Sequence, residues 1–254
     1  MDFAAAANDF AEQVRTRLDA ITRTAAEGGL DAALDLMTTT IESGGVVHAF
    51  GTGHSEAFAM EIAGRAGGFI PTNKIALRDA VLVGSHALSE LWGQPPLERD
   101  PDIAADLFAT VERQEHDVFV IASNSGVNGS IVGLALIAKE RGIPLVAVTS
   151  MEHTMAVPLK HPSGQRLSDV ADVVIDNLAP YGDATLTLNG GVPVGAVSSI
   201  TAAYIAQLLT VGVSERIAVD GRRPPLYLSA NIPAGDEHNS ALEARYAGRI
   251  HRGT

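Results

Sequence analysis

The 254 residues are 46% apolar and carry a net charge of −12, from 30 acids against 18 bases, which allows one α/β domain with a buried core. No basic run stands out and aromatics are few, which argues against a nucleic-acid partner; an anionic ligand then needs a locally positive site such as a helix N-terminus. With no cysteine, disulfides, thiol catalysis and Cys-based zinc sites are excluded, and the chain suits the cytoplasm.

The opening MDFAAAANDFAEQ has acids where a secretory signal would be basic, so export by that route is not expected. Residues 3 to about 26 predict a helix, with Phe3, Phe10, Val14, Leu18 and Ile21 at helical spacing and Gly28-Gly29 ending it. A second helix is expected from about Leu30 to Glu42. Both precede any strand, so they pack beside a sheet or on another subunit.

Val46 to Phe50 reads as the first strand, followed at once by GTGHS (51–55) and a helix to about residue 66. Gly51 and Gly53 permit close backbone approach or positive φ. Ser55 is the natural N-cap, and Glu56 in the first helical turn weakens any phosphate site there. His54 and Glu61 fall near one helical face, and Arg65, four beyond Glu61, can pair with it. A dinucleotide fingerprint fails, because its third glycine would fall at Glu56. Residues 71–100 read as loops, PTNK and GQPPLERD, around a short helix near Ser85 to Trp92; a helix from about Asp102 to Arg113 follows.

Val118 to Ala122 reads as a buried strand that runs into Ser123-Asn124-Ser125-Gly126. From Asn128 onward Ile131, Val132, Leu134, Ala135, Ile137 and Ala138 recur at helical spacing, and Gly142 is placed as a C-cap. Such a turn aims backbone N–H groups and the positive end of the helix dipole at one point, where Ser123, Ser125 and Ser130 add hydroxyls, so a phosphate fits. No charged residue lies between Ser123 and Ala138, so nothing acidic is expected to neutralise that helix end. Ser123 and Asn128 equally suit an ordinary capping role.

Leu145 to Thr149 and Val173 to Asp176 are further strands, separated by a loop with His153, His161 and SGQRLSD. Strands and helices alternate, the pattern of a parallel sheet with helices on both faces. Asp183 to Leu188 and Val192 to Val194 flank Asn189-Gly190-Gly191, a hairpin-like turn. Gly195 to Val213 is uncharged, but its Ser, Thr, Tyr and Gln make it a helix buried in protein and not a membrane span. After PLYLSANIP, Gly235-Asp236-Glu237-His238-Asn239 reads as a site loop or as a solvated turn.

GTGHS at 51–55 and SNSG at 123–126, each after an apolar strand and before a helix, resemble a sugar isomerase (SIS) domain. SGQRL at 163–167, ADVVIDN at 171–177 and the late buried helix extend the resemblance over roughly residues 30–215. It implies an α/β three-layer sandwich with a five-stranded parallel sheet of flavodoxin-like order, plus the N-terminal helices, and a phosphorylated sugar bound across the strand C-terminal ends. The chain then divides into an N-terminal helical extension (1–43), the SIS domain (44–220) and a C-terminal segment with the site loop (221–254). Within the family it is most similar to phosphoheptose isomerases and to stand-alone SIS proteins having GTGHS and GDEHN. Phosphoheptose isomerases place a catalytic glutamate ten residues after the loop serine. That position is Arg65 here, which leaves Glu61 as a substitute.

Aldose–ketose interconversion needs a base for the proton α to a carbonyl and a donor for the enediolate, without a redox cofactor. The expected catalytic groups are Glu61 as base, His238 as acid or ring-opening partner, and His54. The expected binding groups are Gly51, Thr52, Gly53, Ser55, Ser123, Asn124, Ser125, Gly126, Asn128 and Glu237, with the phosphate at Ser123, Ser125 and Asn128. No cofactor is required, although the resemblance to those phosphoheptose isomerases that have His and Glu metal ligands implies His54, Glu61 and His238 as an alternative divalent-metal set. A noncatalytic phosphosugar sensor and an amino-sugar-phosphate lyase or etherase are the other readings. The apolar helices exceed what one sheet needs, so a homodimer or tetramer is expected.

Overall fold

The computed structural model describes residues 2–251. The chain opens with α1 (Phe3–Ala26), started by Asp2, whose carboxylate accepts the Ala5 amide at 2.9 Å, and continues through α2 (Asp31–Glu42) into β1 (Val47–Gly51). Then come α3 (Glu56–Ile62), β2 (Thr72–Ile75), α4 (Asp79–Leu82), α5 (Ile103–Ala109) and β3 (Val118–Ala122). The second half runs α6 (Gly129–Glu140), β4 (Leu145–Thr149), α7 (Met151–Ala156), α8 (Leu167–Val170), β5 (Val173–Asp176), the hairpin β6 (Ala184–Thr187) and β7 (Pro193–Ala196), α9 (Ser198–Ala218) and α10 (Gly235–Glu243).

Five parallel strands form one sheet in the order β2-β1-β3-β4-β5, the flavodoxin-like order expected. Every position of β1, β3 and β4 is buried, because helices cover both faces; this is why those strands read as unbroken apolar runs. One face packs Val47, Ala49, Val118, Val120 and Val146 under α1, α2, α3 and α9. The other packs Phe50, Phe119, Ile121 and Leu145 under α5, α6 and α8. The chain leaves β1 in one direction for β2 and lies beside β3 in the other. That switch point opens a crevice at the strand C-terminal ends, where the turns after β1 and β3 meet.

Three segments depart from the sequence expectation. PTNK was expected as loop, yet Thr72–Ile75 pairs in parallel with β1. It is an edge strand whose polar side chains are used: Asn73 donates to the Arg249 carbonyl and accepts the His251 amide, so the C-terminal segment covers that edge. The stretch after β4, expected as loop, forms α7, with Ser150 Oγ capping it by accepting the His153 amide at 3.0 Å. Gly235-Asp236-Glu237-His238-Asn239 opens α10 and is not a loop. The late helix α9 buries Ala202, Ile205, Leu209 and Val213 but leaves Val211 exposed, so it is buried along one stripe only. Among the described residues no helix is long and apolar enough to cross a membrane.

Candidate functional site

The turn after β1 is built by two glycines. A Cβ on Gly51 would lie 2.2 Å from the Ser55 carbonyl oxygen, so only glycine lets the chain fold back this tightly. Gly53 has φ +56°, in the left-handed region. Thr52 is buried, His54 is exposed, and Ser55 stands at the start of α3 without a side-chain capping bond, contrary to its expected role.

The turn after β3 is held from several sides. Ser123 is buried, and its Oγ accepts the Gly126 amide at 3.1 Å. Asn124 fixes the turn to the neighbouring strands: its carbonyl accepts the Ser150 amide, and its Oδ1 accepts Asn177 Nδ2 at 3.2 Å. Gly126 has φ +63°, and a Cβ there would lie 2.8 Å from Thr154 Oγ1. Ser55, Ser123, Asn124, Asn177, Ser198 and Ser199 line one small cavity. Its polar walls are hydroxyls and amides from both turns and from the N-terminus of α9. That helix end is itself capped by Asp183, whose Oδ1 accepts the Ser198 amide at 2.7 Å.

The N-terminus of α6 is not bare, as the charge-free sequence around it implied. The insert between β2 and α5 brings Glu98 over it. Asn128 Nδ2 donates to Glu98 Oε1 at 3.2 Å, and Ser130 Oγ donates to the Glu98 carbonyl at 2.8 Å. The other carboxylate oxygen faces the first turn, where a Cβ on Gly53 would be 3.6 Å from Glu98 Oε2. Glu98 therefore sits between the two turns as a half-buried carboxylate. Sequence reasoning missed it because it lies 30 positions from its partner Asn128, in a segment without periodicity. A second tie holds the insert: His86 Nδ1 and Nε2 lie 2.8 and 2.7 Å from Glu90 and Asp106, the latter on α5. Hydrogen bonds to Glu90 and then Asp106 raise the His86 pKa above its ordinary value.

The structure brings together Gly51, Thr52, Gly53, His54 and Ser55 with Ser123, Asn124, Ser125, Gly126 and Asn128, which are consecutive residues of turns at the ends of the adjacent strands β1 and β3. It does not bring Glu61, His238 and Glu237 to them within one chain. Glu61 lies on the last turn of α3, where its Oε2 accepts from both Arg65 and Gln207 of α9. His238 Nε2 lies 3.0 Å from the Leu226 carbonyl, and Leu226 bridges Phe69 ahead of β2, at the opposite end of the sheet. Glu237 is exposed on the same α10. Among the described residues no group of three His, Asp or Glu side chains is placed to hold a metal ion, so the His54–Glu61–His238 set is not assembled.

Comparisons with known proteins agree with this architecture. The family model for the SIS domain matches residues 9–150. A UPF0309 protein of Geobacillus sp. (strain WCH70) is 32% identical over 240 residues, covering 94% of this chain and 95% of its own length. A UPF0309 protein of Listeria innocua is 36% identical over 212 residues, covering 83% of this chain and 84% of its own. Among solved structures, a phosphoheptose isomerase from Francisella tularensis is similar with TM-score 0.55 and 17% identity, over 85% of this chain and 100% of that one. The phosphoheptose isomerase GmhA from Neisseria gonorrhoeae gives 0.54 and 19%, over 83% and 97%. E. coli CFT073 c3406 in complex with A5P gives 0.53 and 16%, over 85% and 93%. At such identities the likeness is one of fold.

Proposed function

The chain belongs to the SIS domain family and to the UPF0309 proteins, and from that premise we propose that it is a phosphosugar isomerase with Glu98 as its base. The observation that carries this reading is the Glu98 carboxylate between the two ligand turns, one oxygen held by Asn128 and the other turned toward Gly53. The base removes the proton from C2 of an open-chain aldose phosphate, the electron pair forms the C1–C2 double bond of the enediolate, and the proton returns at C1. The C1 and C2 oxygens exchange a proton, so the ketose forms without redox change. His54, exposed in the first turn, is the donor for ring opening. Glu61 is set aside as base because two donors already hold its Oε2.

Placing a carboxylate at α6 moves the phosphate. Glu98 would repel it from Asn128 and Ser125, whereas the cavity of Ser55, Ser123, Ser198 and Ser199 holds no carboxylate among its lining residues. Ser198 is already committed to Asp183 and the cavity has room for about one water, so the phosphate is placed over the Ser55 and Ser123 hydroxyls at its edge. A panel of sugar phosphates in D2O, read by NMR, tests the reading. Deuterium should enter at C1 or C2 with the native protein, fall by about 10² to 10⁴ in Glu98→Gln, and persist in Glu61→Gln. Exchange retained in Glu98→Gln removes the base assignment; no exchange with any member of the panel favours a sensor, and loss of a substituent favours a lyase.

A further inference from the structure

The insert ahead of α5 carries Glu98 over the turns after β1 and β3, yet little fastens its first part. No residue of 81–96 is buried, and Leu82, Val83, Leu88 and Trp92 stand in solvent. Among the described residues, the side-chain hydrogen bonds made within 81–96 all involve His86 or Glu90, and only the His86 ring reaches out of the insert. It reaches Asp106 on α5, a helix fixed in the core by Ile103, Leu107 and Phe108. At the far end Leu97 is buried and Glu98 meets Asn128 and Ser130. The near end hangs on His86.

His86 Nδ1 lies 2.8 Å from Glu90 Oε2, and Nε2 lies 2.7 Å from Asp106 Oδ2. Ionised carboxylates only accept, and a neutral imidazole has one N–H, so it can serve one of them; the imidazolium serves both. The other Glu90 oxygen accepts the Ala87 amide at 2.7 Å, which ties that carboxylate to the 3-10 turn Leu88–Trp92. From α4 the Ala80 carbonyl accepts the His86 amide at 3.2 Å, while the Asp79 carboxylate is turned to the Ala76 amide. Glu90 and Asp106 are the charged groups acting on the ring, and no cation is among them. The ring is 20% exposed, so water can take its proton.

We propose that His86 is a positioning residue of the site, whose imidazolium clasps the insert to α5 and so holds Glu98 over the turns, a role that rests on Glu98 as the base. Loss of the proton breaks one of the two bonds and frees the near end. Since both bonds raise the folded pKa, the clasp is complete below the ordinary histidine value, about 6.5, and is lost as pH rises through the folded one.

Trp92 is the sole tryptophan and ends the Leu88–Trp92 turn, so its fluorescence anisotropy reads the insert of the full chain without substrate. Anisotropy should fall in one step as pH rises from about 6 to about 9. His86→Gln should be low and flat over that range, and His86→Arg, which stays charged, high and flat. Asp106→Asn should move the step to lower pH, because a carboxylate that favours the proton is gone. At the acid end of the range, His86→Gln should lower kcat for deuterium exchange about tenfold and move KM less than about twofold, since the phosphate is held elsewhere. No step in the native chain, the same step in His86→Gln, or an unmoved step in Asp106→Asn overturns the clasp. A step with kcat unmoved overturns the positioning role. If no sugar phosphate exchanges, the base reading fails by itself and the anisotropy still decides the clasp.

Discussion

Asp117 accepts hydrogen bonds from the Val46 amide (2.8 Å), the Gln114 amide (2.9 Å), the His48 ring (3.1 Å) and the Arg249 guanidinium (2.6 Å). Burial works against its ionisation, but the His48, Gln114 and Val46 donors overcome that penalty and hold its carboxyl below the ordinary carboxylate value. A depressed folded pKa contributes stability that is present above the unfolded value, about 3.9, and is lost as pH falls through the folded one. Asp117→Ala should therefore cost about 3 to 5 kcal/mol at neutral pH, since it leaves Arg249 and His48 without their buried partner. Urea melts at pH 7 and pH 3 check both parts: the deficit should be large at pH 7 and shrink in acid. An unchanged midpoint at pH 7 contradicts this account.

At the scale of elements, α9 depends on a residue outside it. Asp183 has φ +68° and uses both carboxylate oxygens on the helix end, accepting from the Val197 and Ser198 amides and from Ser198 Oγ. Asp183→Ala should cost about 1 to 2 kcal/mol in a thermal melt, the size of a lost N-cap, and should also weaken phosphosugar binding because Ser198 and Ser199 line the cavity. A variant that melts normally and binds normally would detach the cap from the site. The elements that could be read from sequence are those with a single strong signal. The strands at 118–122 and 145–149 are buried on both faces, and Gly142, at φ +70°, closes α6 one position beyond the C-cap Arg141. β2 was illegible because Asn73 and Lys74 are polar for reasons lying far along the chain, and α10 because a helix beginning Gly-Asp-Glu-His-Asn carries turn-forming residues in its first two turns. The turns after β1 and β3 showed themselves by glycine and serine spacing after apolar strands. Glu98 did not, since nothing local says that an insert folds back over α6.

The whole molecule exposes apolar side chains in quantity. Leu82, Val83, Leu88 and Trp92 stand out along the insert, Leu188, Val192 and Val194 on the hairpin, and Val211 on α9. Monomers rarely leave large contiguous apolar patches in water, and closed symmetric assemblies are the usual way to cover them. Light scattering at micromolar concentration should give a dimer or tetramer; a monomer would contradict the expectation. In that event, mixing inactive Glu98→Gln with another inactive site variant should restore no activity, because no site would be shared.

The Arg249 bond to Asp117 has a consequence for how the chain is made. The two residues are 132 positions apart, and His48 and Val46 reach the same carboxylate from still earlier in the chain. During synthesis β1 and β3 leave the ribosome long before Arg249 does, so the nascent sheet carries an acid with one of its donors missing. Water must remain at that edge until the C-terminal segment has left the ribosome. Released chains that end just before Arg249 should then be open to protease at the N-terminal ends of β1 and β3, whereas the 254-residue chain should be closed there.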